Sequence, residues 1–400
     1  MSTTDQSSES SSRELLEEVV EHLASIYRPS CSPGEREAAE WIAERLNDLD
    51  TPARVEPEAA YASYWWTLAT WCALGVLAGV LGRSRRWLGV LLGIVSGAGI
   101  ADEISNGRRP LRPILLRRQT AWNVVGEGGD PSAERTLVLL AHHDAPHSGL
   151  VFDQTLQRKA GERFPDLIER TNTAIPIWAP VFGPPLLTAL GLLLRRPRPV
   201  SLATLFGIGS TAAFLDIARR PAVPGANDNL SGVAAMVAVA AALRKRPVSG
   251  LRVLFVSCGA EESLQEGIRP FMQRHGAQLP IETTSFLNLE TVGSPRLVLL
   301  EGEGPMFMED YHGALSDYVA ETAERAGIAL RRGLRARAST DSIIPSRAGY
   351  ETATICSVDR NKALSNYHWP TDTPENLDYE TVEAAARLAE AVARRLAEER

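Results

Sequence analysis

Cysteine is scarce in this chain: four in 400 residues, at Cys31, Cys72, Cys258 and Cys356. None forms a C-x-x-C pair, and their wide scatter argues against a disulfide framework. Cys258 falls in the apolar run "VLFVSCGA" and reads as a small buried side chain. Excess positive charge is also missing. The formal net charge is −7, which gives no electrostatic reason to expect a nucleic acid as partner. The chain does not open on a basic segment followed by an apolar stretch, so no cleavable secretory leader is expected. Its first twelve residues, "MSTTDQSSESSS", are small and polar and read as a disordered tail.

Long apolar runs, by contrast, come in pairs. The first pair is "YWWTLATWCALGVLAGVLG" (64–82) and "WLGVLLGIVSGAGIA" (87–101), joined by "RSRR". The second is "TAIPIWAPVFGPPLLTALGLLL" (173–194) and "VSLATLFGIGSTAAFLDIA" (200–218), joined by "RRPRP". A spanning helix needs about 20 mostly apolar residues; three of the four stretches come near that, and the second needs its neighbours to extend it. Tryptophans and Tyr64 lie near some ends, as interfacial anchors do. Each pair reads as a transmembrane hairpin, which gives four membrane segments and makes the lipid bilayer a partner. The bland alternative is a pair of hydrophobic hairpins packed against protein. Arginines crowd the hairpin tips (Arg83, Arg85, Arg86, Arg195, Arg196, Arg198). They also flank the other ends (Arg108, Arg109, Arg112, Arg117, Arg118, Arg219, Arg220), so the positive-inside rule gives conflicting answers. The missing leader favours a cytoplasmic catalytic domain.

With the hairpins set aside, an α/β pattern remains. Residues 13–26 and 34–49 have helical apolar spacing, and Ser32-Pro33 is a start signal for the second helix. Strands are predicted at 122–127, 135–142, 251–258, 285–290, 296–301 and 352–358, alternating with helices near 229–244, 309–326 and 378–398. Runs such as "LVLL" and "VLFV" are apolar on both faces, as in central strands covered by helices. The apolar "NLSGVAAMVAVAAAL" (229–243) is therefore read as a buried sheet-packing helix. The expected fold is a mixed, mostly parallel central sheet with helices on both faces, interrupted by the two hairpins. Residues 13–62, 119–172 and 219–400 form the soluble domain. Residues 63–118 carry the first hairpin with its basic connector, and 173–218 carry the second.

Open α/β sheets gather ligands at the carboxyl ends of their strands. "AHHD" (141–144), "GAEE" (259–262) and "NLE" (288–290) each end a strand candidate, "GANDNLSG" (225–232) opens a helix, and "YHWPTDT" (367–373) follows a late loop. Each piece alone has a bland reading as solvated charge or a structural hydrogen-bonding residue. Together, in this order, the five resemble metallopeptidase family 28, the co-catalytic zinc aminopeptidases. The resemblance covers about residues 13–62, 119–150 and 221–400, and Glu290 stands where many members have Asp.

The resemblance implies a peptidase of zinc-peptidase fold with two zinc ions. One would be held by His142, Asp228 and Glu290, the other by Asp228, Glu262 and His368, with Asp228 bridging. Imidazole and carboxylate ligands without thiolate suit catalytic zinc. Residues two apart on a strand share a face, so His142 and Asp144 point together and His143 points away. Asp144 would fix the His142 imidazole. Adjacent side chains diverge, so Glu262 would bind metal and Glu261 would act as general base. Asp341 resembles a loop acid near the family's substrate pocket, with a turn residue as the bland reading; His147 is a candidate substrate contact. The expected substrate is a peptide or aminoacyl amide. The rivals are a mono-zinc glutaminyl-cyclase-like acyltransferase, a non-catalytic receptor-like scaffold, and the related carboxypeptidases with an inserted dimerisation domain. For the last, the stretch between Glu290 and His368 leaves little room. Because the second hairpin lies between Asp144 and Asp228, residues 151–220 must leave from and return to the catalytic rim. That predicts an active site near the bilayer, with the hairpin shaping substrate access.

Overall fold

The computed structural model describes residues 3–173 and 178–398. Nine strands form one sheet: β1 (Ala53–Ala60), β2 (Gln119–Gly129), β3 (Thr136–His142), β4 (Arg252–Cys258), β5 (Thr284–Glu290), β6 (Arg296–Glu303), β7 (Glu309–Asp310), β8 (Arg331–Ala336) and β9 (Glu351–Val358). Their order is β1-β2-β4-β3-β5-β9-β6-β7, with β8 also on β6. The middle four strands, β4-β3-β5-β9, are mutually parallel. The pairs β1–β2, β2–β4 and β6–β9 are antiparallel. Parallel register brings His142 opposite Cys258 and Glu290 opposite Cys356, so the chemistry-bearing strand ends share one edge.

Every residue of β3 is buried. Leu137, Leu139 and Ala141 enter one core while Val138 and Leu140 enter the other, the two-residue alternation of a strand covered on both faces. The helices that supply the covers and the bundle are α1 (Thr3–Ala24), α2 (Pro33–Asp48), α3 (Trp65–Leu81), α4 (Arg86–Ile104), α5 (Ala179–Leu193), α6 (Pro197–Ile217), α7 (Ser231–Lys245), α8 (Ile268–His275), α9 (Leu315–Arg325) and α10 (Tyr379–Glu398). On one face α1, α2, α7, α9 and α10 pack over the sheet. On the other, α8 sets Ile268 and Phe271 against Val256 and Phe286. Ser32 caps α2 by accepting from the Glu35 N–H at 3.1 Å, as its start signal requires.

The mixed α/β architecture agrees with the sequence pattern; the differences lie at the margins. The strand β1 buries Glu56 and Glu58, exposes Pro57 and Ala59, and pairs with β2 at the sheet edge. The helix expected from 309 starts at Leu315, because Glu309 and Asp310 pair with β6. The first helix is described from Thr3 to Ala24 and takes in residues 3–12 of the segment read as a disordered tail; residues 1 and 2 lie outside the described residues. Propagating an established helix is far easier than nucleating one.

The four apolar stretches form helices α3, α4, α5 and α6, which pack against one another as a bundle. A Cβ on Gly93 would stand 2.9 Å from the Pro185 carbonyl oxygen, and one on Gly99 2.4 Å from the Trp71 ring, so the helices approach closely through their glycines. Outward, Leu77, Trp87, Leu91, Leu194, Leu202 and Ile208 are exposed. The helices α4 and α6 are long and apolar enough to cross a membrane. At 17 and 15 residues, α3 and α5 are shorter. The second stretch is extended by its neighbours, as it needed to be, to a 19-residue helix, while the helix of the third is described from Ala179, with Pro180 in its first turn. Residues 174–177 of that stretch lie outside the described residues. The segment Ala226–Lys245 also meets the length and hydropathy criteria, but it is 89% buried within the protein, in keeping with its reading as a sheet-packing helix.

Two arginines counted among the flanking charges are buried instead. Arg112 donates to Glu103 Oε1, Glu266 Oε1 and the Ser263 carbonyl at 2.7, 2.7 and 2.9 Å. Arg109 donates to Glu266 Oε1 at 2.7 Å and to the Leu264 carbonyl at 2.6 Å. The foot of α4 is thereby fastened to the turn that follows β4.

Candidate metal centre

Five chain segments converge at the carboxyl edge of the parallel strands. The end of β3 supplies His142, and the next turn supplies Asp144. Asp228 sits in the kinked turn Ala226–Leu230 before α7, where its φ/ψ is not helical. Gly225 enters that turn at φ +61, a left-handed conformation suited to glycine, and the fully buried Arg28 holds its carbonyl at 3.1 Å. Glu261 and Glu262 follow β4, Glu290 ends β5, and His368 comes from the loop after β9.

The distances describe two triads sharing one carboxylate. His142 Nε2 lies 3.3 Å from Asp228 Oδ1 and 3.5 Å from Glu290 Oε1. His368 Nε2 lies 3.2 Å from Asp228 Oδ2 and 3.3 Å from Glu262 Oε2. These separations are long for charged hydrogen bonds, but they match the ~3.3–3.4 Å edge of a tetrahedron with zinc–nitrogen and zinc–oxygen bonds of ~2.0–2.1 Å. The ligand atoms of each triad lie within 4.8 Å of one another. A third grouping, His142 with Glu261 and Glu262, meets the same criterion. Its Glu261 Oε2 is 3.9 Å from His142 Nε2, so Glu261 stands further off than the other carboxylates.

Electrostatics point the same way. Burial, helped by acidic neighbours, pushes Glu261 and Glu262 well above the ordinary carboxylate range. Burial works against a charged His142, but Glu261, Glu290, Asp144 and Asp228 outweigh it and raise its pKa. Asp228 is buried too, yet the imidazoles on its two oxygens hold its pKa down. A pocket of acids this dense calls for cations. Glu262 Oε1 and His368 Nδ1, both buried, have no hydrogen-bond partner among the described residues. The donor set, imidazole nitrogen and carboxylate oxygen, fits zinc.

Asp144 does more than face His142, whose Nδ1 is 3.4 Å from its Oδ1. It accepts the Glu261 and Glu262 backbone N–H groups at 3.0 and 3.1 Å and the Ser30 hydroxyl at 2.7 Å. His143 points away, its Nδ1 2.9 Å from Ser257 Oγ, and burial lowers its pKa to about 4. His147 is not among the residues lining the cavities at the cluster. Its Nδ1 meets the Arg220 carbonyl at 2.7 Å, and its ring lies 4.6 Å from that of Trp65. Asp341 is buried behind the cluster near Cys258, and burial raises its pKa to about 7.

Several supporting residues were given no role from the sequence, although Tyr367 and Asp372 stand within the "YHWPTDT" segment. Gln265 donates to Glu261 Oε1 at 2.7 Å and to the Ser339 carbonyl at 2.9 Å, fixing one carboxylate oxygen. Asp372 accepts from the backbone N–H groups of Asn227 and Asp228 at 2.7 and 3.2 Å. Thr291 Oγ1 donates to Glu290 Oε1 at 3.0 Å. Tyr367 stacks on His368, with ring centres 3.9 Å apart. Two cavities flank the cluster and share Glu261, Glu262 and His368. One of about 600 Å³ extends toward the helical bundle, and one of about 210 Å³ extends toward β6 and β8.

Residues 211–393 match Peptidase family M28. No curated protein matches the chain. Among solved structures, the glutaminyl cyclase of Bacteroides thetaiotaomicron bound to N-acetylhistamine has a TM-score of 0.56 at 14% identity, covering 97% of this chain and 98% of that one. A leucine aminopeptidase precursor from the same organism also scores 0.56 at 14% identity, with 97% of each chain covered. The aminopeptidase of Aneurinibacillus sp. strain AM-1 scores 0.54 at 14% identity, with 95% of this chain and 92% of that one covered. The neighbours carry the fold.

Proposed function

We propose that this chain is a zinc-dependent metallopeptidase of the M28 type, a membrane-associated enzyme with two zinc ions that hydrolyses amide bonds. It would release N-terminal residues from peptides or aminoacyl amides. The observation that carries this reading is the placement of Asp228, which offers Oδ1 to the His142 triad and Oδ2 to the His368 triad. His142, Asp228 and Glu290 would hold one ion, and Asp228, Glu262 and His368 the other. Zinc bound there would polarise the scissile carbonyl and lower the pKa of water.

The remaining work falls to the chain's own groups. Gln265 occupies Glu261 Oε1, which leaves Oε2 facing the cluster to take a proton and pass it to the leaving amine. Asp144 holds the Glu261–Glu262 turn by its backbone and aligns the His142 ring, so base and ligands are positioned together. The cavities on either side of Glu261 give the two halves of an amide somewhere to lie. Residues 13–62, 119–172 and 219–400 would form the peptidase domain. The bundle, with its exposed leucines, would sit in the bilayer beside it.

Metal analysis and turnover test this together. Zinc-loaded protein is expected to hold two ions per chain and to cleave aminoacyl amides. Glu261→Gln should keep both ions and lose about 10²–10⁴ in turnover. One ion per chain would shift the reading to a mono-zinc glutaminyl-cyclase-like acyltransferase, and undiminished turnover would remove Glu261 from the chemistry.

A further inference from the structure

The larger cavity starts at Glu261, Glu262 and His368 and runs into the bundle. Away from those groups its walls are Phe152, Trp178, Phe206, Gly209, Ala213 and Phe214. The Ser210 hydroxyl on that side is engaged, donating to the Pro180 carbonyl at 2.8 Å, while Asp153, Gln154 and Gln157 also line the cavity. Leu205 and Phe206 line the cavity and are 65% and 53% exposed, so it reaches the bundle's flank. In a bilayer that flank faces hydrocarbon.

We propose that this cavity receives the hydrocarbon chain of an amide substrate entering sideways from the membrane. The substrate class would then be amino-acid amides bearing a long alkyl or acyl chain. This deepens the function proposed above and rests on it. Chemistry decides between such a chain and a peptide. A peptide brings an N–H and a C=O per residue, and each left unpaired against these walls opposes binding. A methylene chain brings none, and every buried CH₂ favours binding.

The full chain in lipid nanodiscs, zinc-loaded, would be given two substrate series: leucine alkylamides from methyl to dodecyl, and N-acyl leucines from acetyl to tetradecanoyl. In one series kcat/KM is expected to climb with length, by up to roughly fourfold per methylene. The series that climbs tells whether the chain hangs on the amine or the acyl side. A Cβ on Gly209 would meet nothing within 4 Å, so Gly209→Phe fits and fills the cavity. It is expected to lower the long-to-short ratio at least tenfold. Gly183, equally open but outside the cavity lining, is the control: Gly183→Phe should leave the ratio unchanged.

A readout independent of turnover uses a long-chain acyl leucine amide with a terminal diazirine. Its cross-links should map to Phe152 and residues 205–214. Cross-links confined to outward residues such as Leu77 and Leu91 would overturn the proposal. So would flat chain-length profiles, or a preference for leucine-rich peptides. Cleavage of short aminoacyl amides with a flat profile would sink this inference alone. Cavity cross-links without any amide cleavage would sink the proposed activity and keep the chain-binding site.

Discussion

Asp144→Asn separates charge from shape at the point where base and ligand are held together. The carboxylate accepts Glu261 N–H, Glu262 N–H and Ser30 Oγ, and faces His142 Nδ1. Asparagine keeps the shape but has one acceptor oxygen and an NH₂. If its oxygen stays toward Glu261 and His142, the buried Glu262 N–H loses its acceptor. If it turns the other way, the NH₂ confronts both the Glu261 N–H and His142 Nδ1. The second orientation stabilises the tautomer with its proton on Nε2, which leaves no lone pair for a cation. Hydrogen bonds to charged groups contribute about 1.5–3 kcal/mol each, so losing one or two amounts to about 2–5 kcal/mol. Part of this falls on stability and part on metal. Losing the partner of a ligating histidine lowers metal affinity by about 10–100-fold. The assay is turnover titrated in chelator-buffered zinc, beside thermal unfolding of the metal-free protein. The expected outcome is a zinc titration of turnover shifted to about 10–100-fold higher free zinc, partial recovery at saturating zinc and a lower melting temperature. Zinc affinity within twofold of the parent, with unchanged melting, would refute the role given to Asp144.

Arg112→Met leaves Glu103 buried without its guanidinium partner, while Glu266 keeps Arg109; breaking a buried pair from one side costs about 3–5 kcal/mol. Urea unfolding should show a loss of that order, relieved in part by adding Glu103→Gln, and a loss below about 1 kcal/mol would contradict the docking role. Gln265→Leu frees Glu261 Oε1 and should lower kcat about tenfold at similar KM, shifting the acid limb of the pH–rate profile while zinc content stays the same. An unshifted limb would leave Gln265 a purely structural neighbour. Burial raises Glu303 to about 8, so the folded protein keeps its proton at pH values where the unfolded chain has lost it. That stabilisation is full below the ordinary glutamate range and fades as pH rises toward 8, by up to about 1.4 kcal/mol per unit. In metal-free protein, Glu303→Gln should lack this part of the alkaline decline, and identical slopes would contradict it.

His142, Glu262 and Glu290 stood out as candidates because they follow strand ends: "LVLLAHHD" changes from apolar to polar within one strand, and two-residue alternation separates His142 from His143. Asp228 and His368, before a helix and in a loop, became ligand candidates only through the resemblance to metallopeptidase family 28. Gln265 acts on Glu261 only four residues away, but a lone glutamine there carries no motif; Asp372 and Arg28 did not stand out either, because they act on backbone groups far away in sequence, which leaves no spacing pattern. Arg109 and Arg112 misled for the same reason. Next to an apolar helix an arginine reads as a membrane flank, and only tertiary structure reveals Glu266 opposite. The central strands were plain from their continuous apolar runs, whereas β1 and β8, at or near the sheet's edges, carry polar residues that blur the alternation. Helix α5 is described over only 15 residues of a stretch whose composition alone suggested a full span. Helix α7 shows the converse: its hydropathy fits a membrane, but its place between Asp228 and β4 buries it in the soluble core.

Anomalous diffraction at the zinc edge from crystals of the zinc-loaded protein tests the central claim most directly. Two peaks about 3.5–4 Å apart are predicted, one within bonding distance of His142 and Glu290, the other of Glu262 and His368, with an Asp228 oxygen on each. A single peak, or peaks that leave Asp228 uncoordinated, would contradict it.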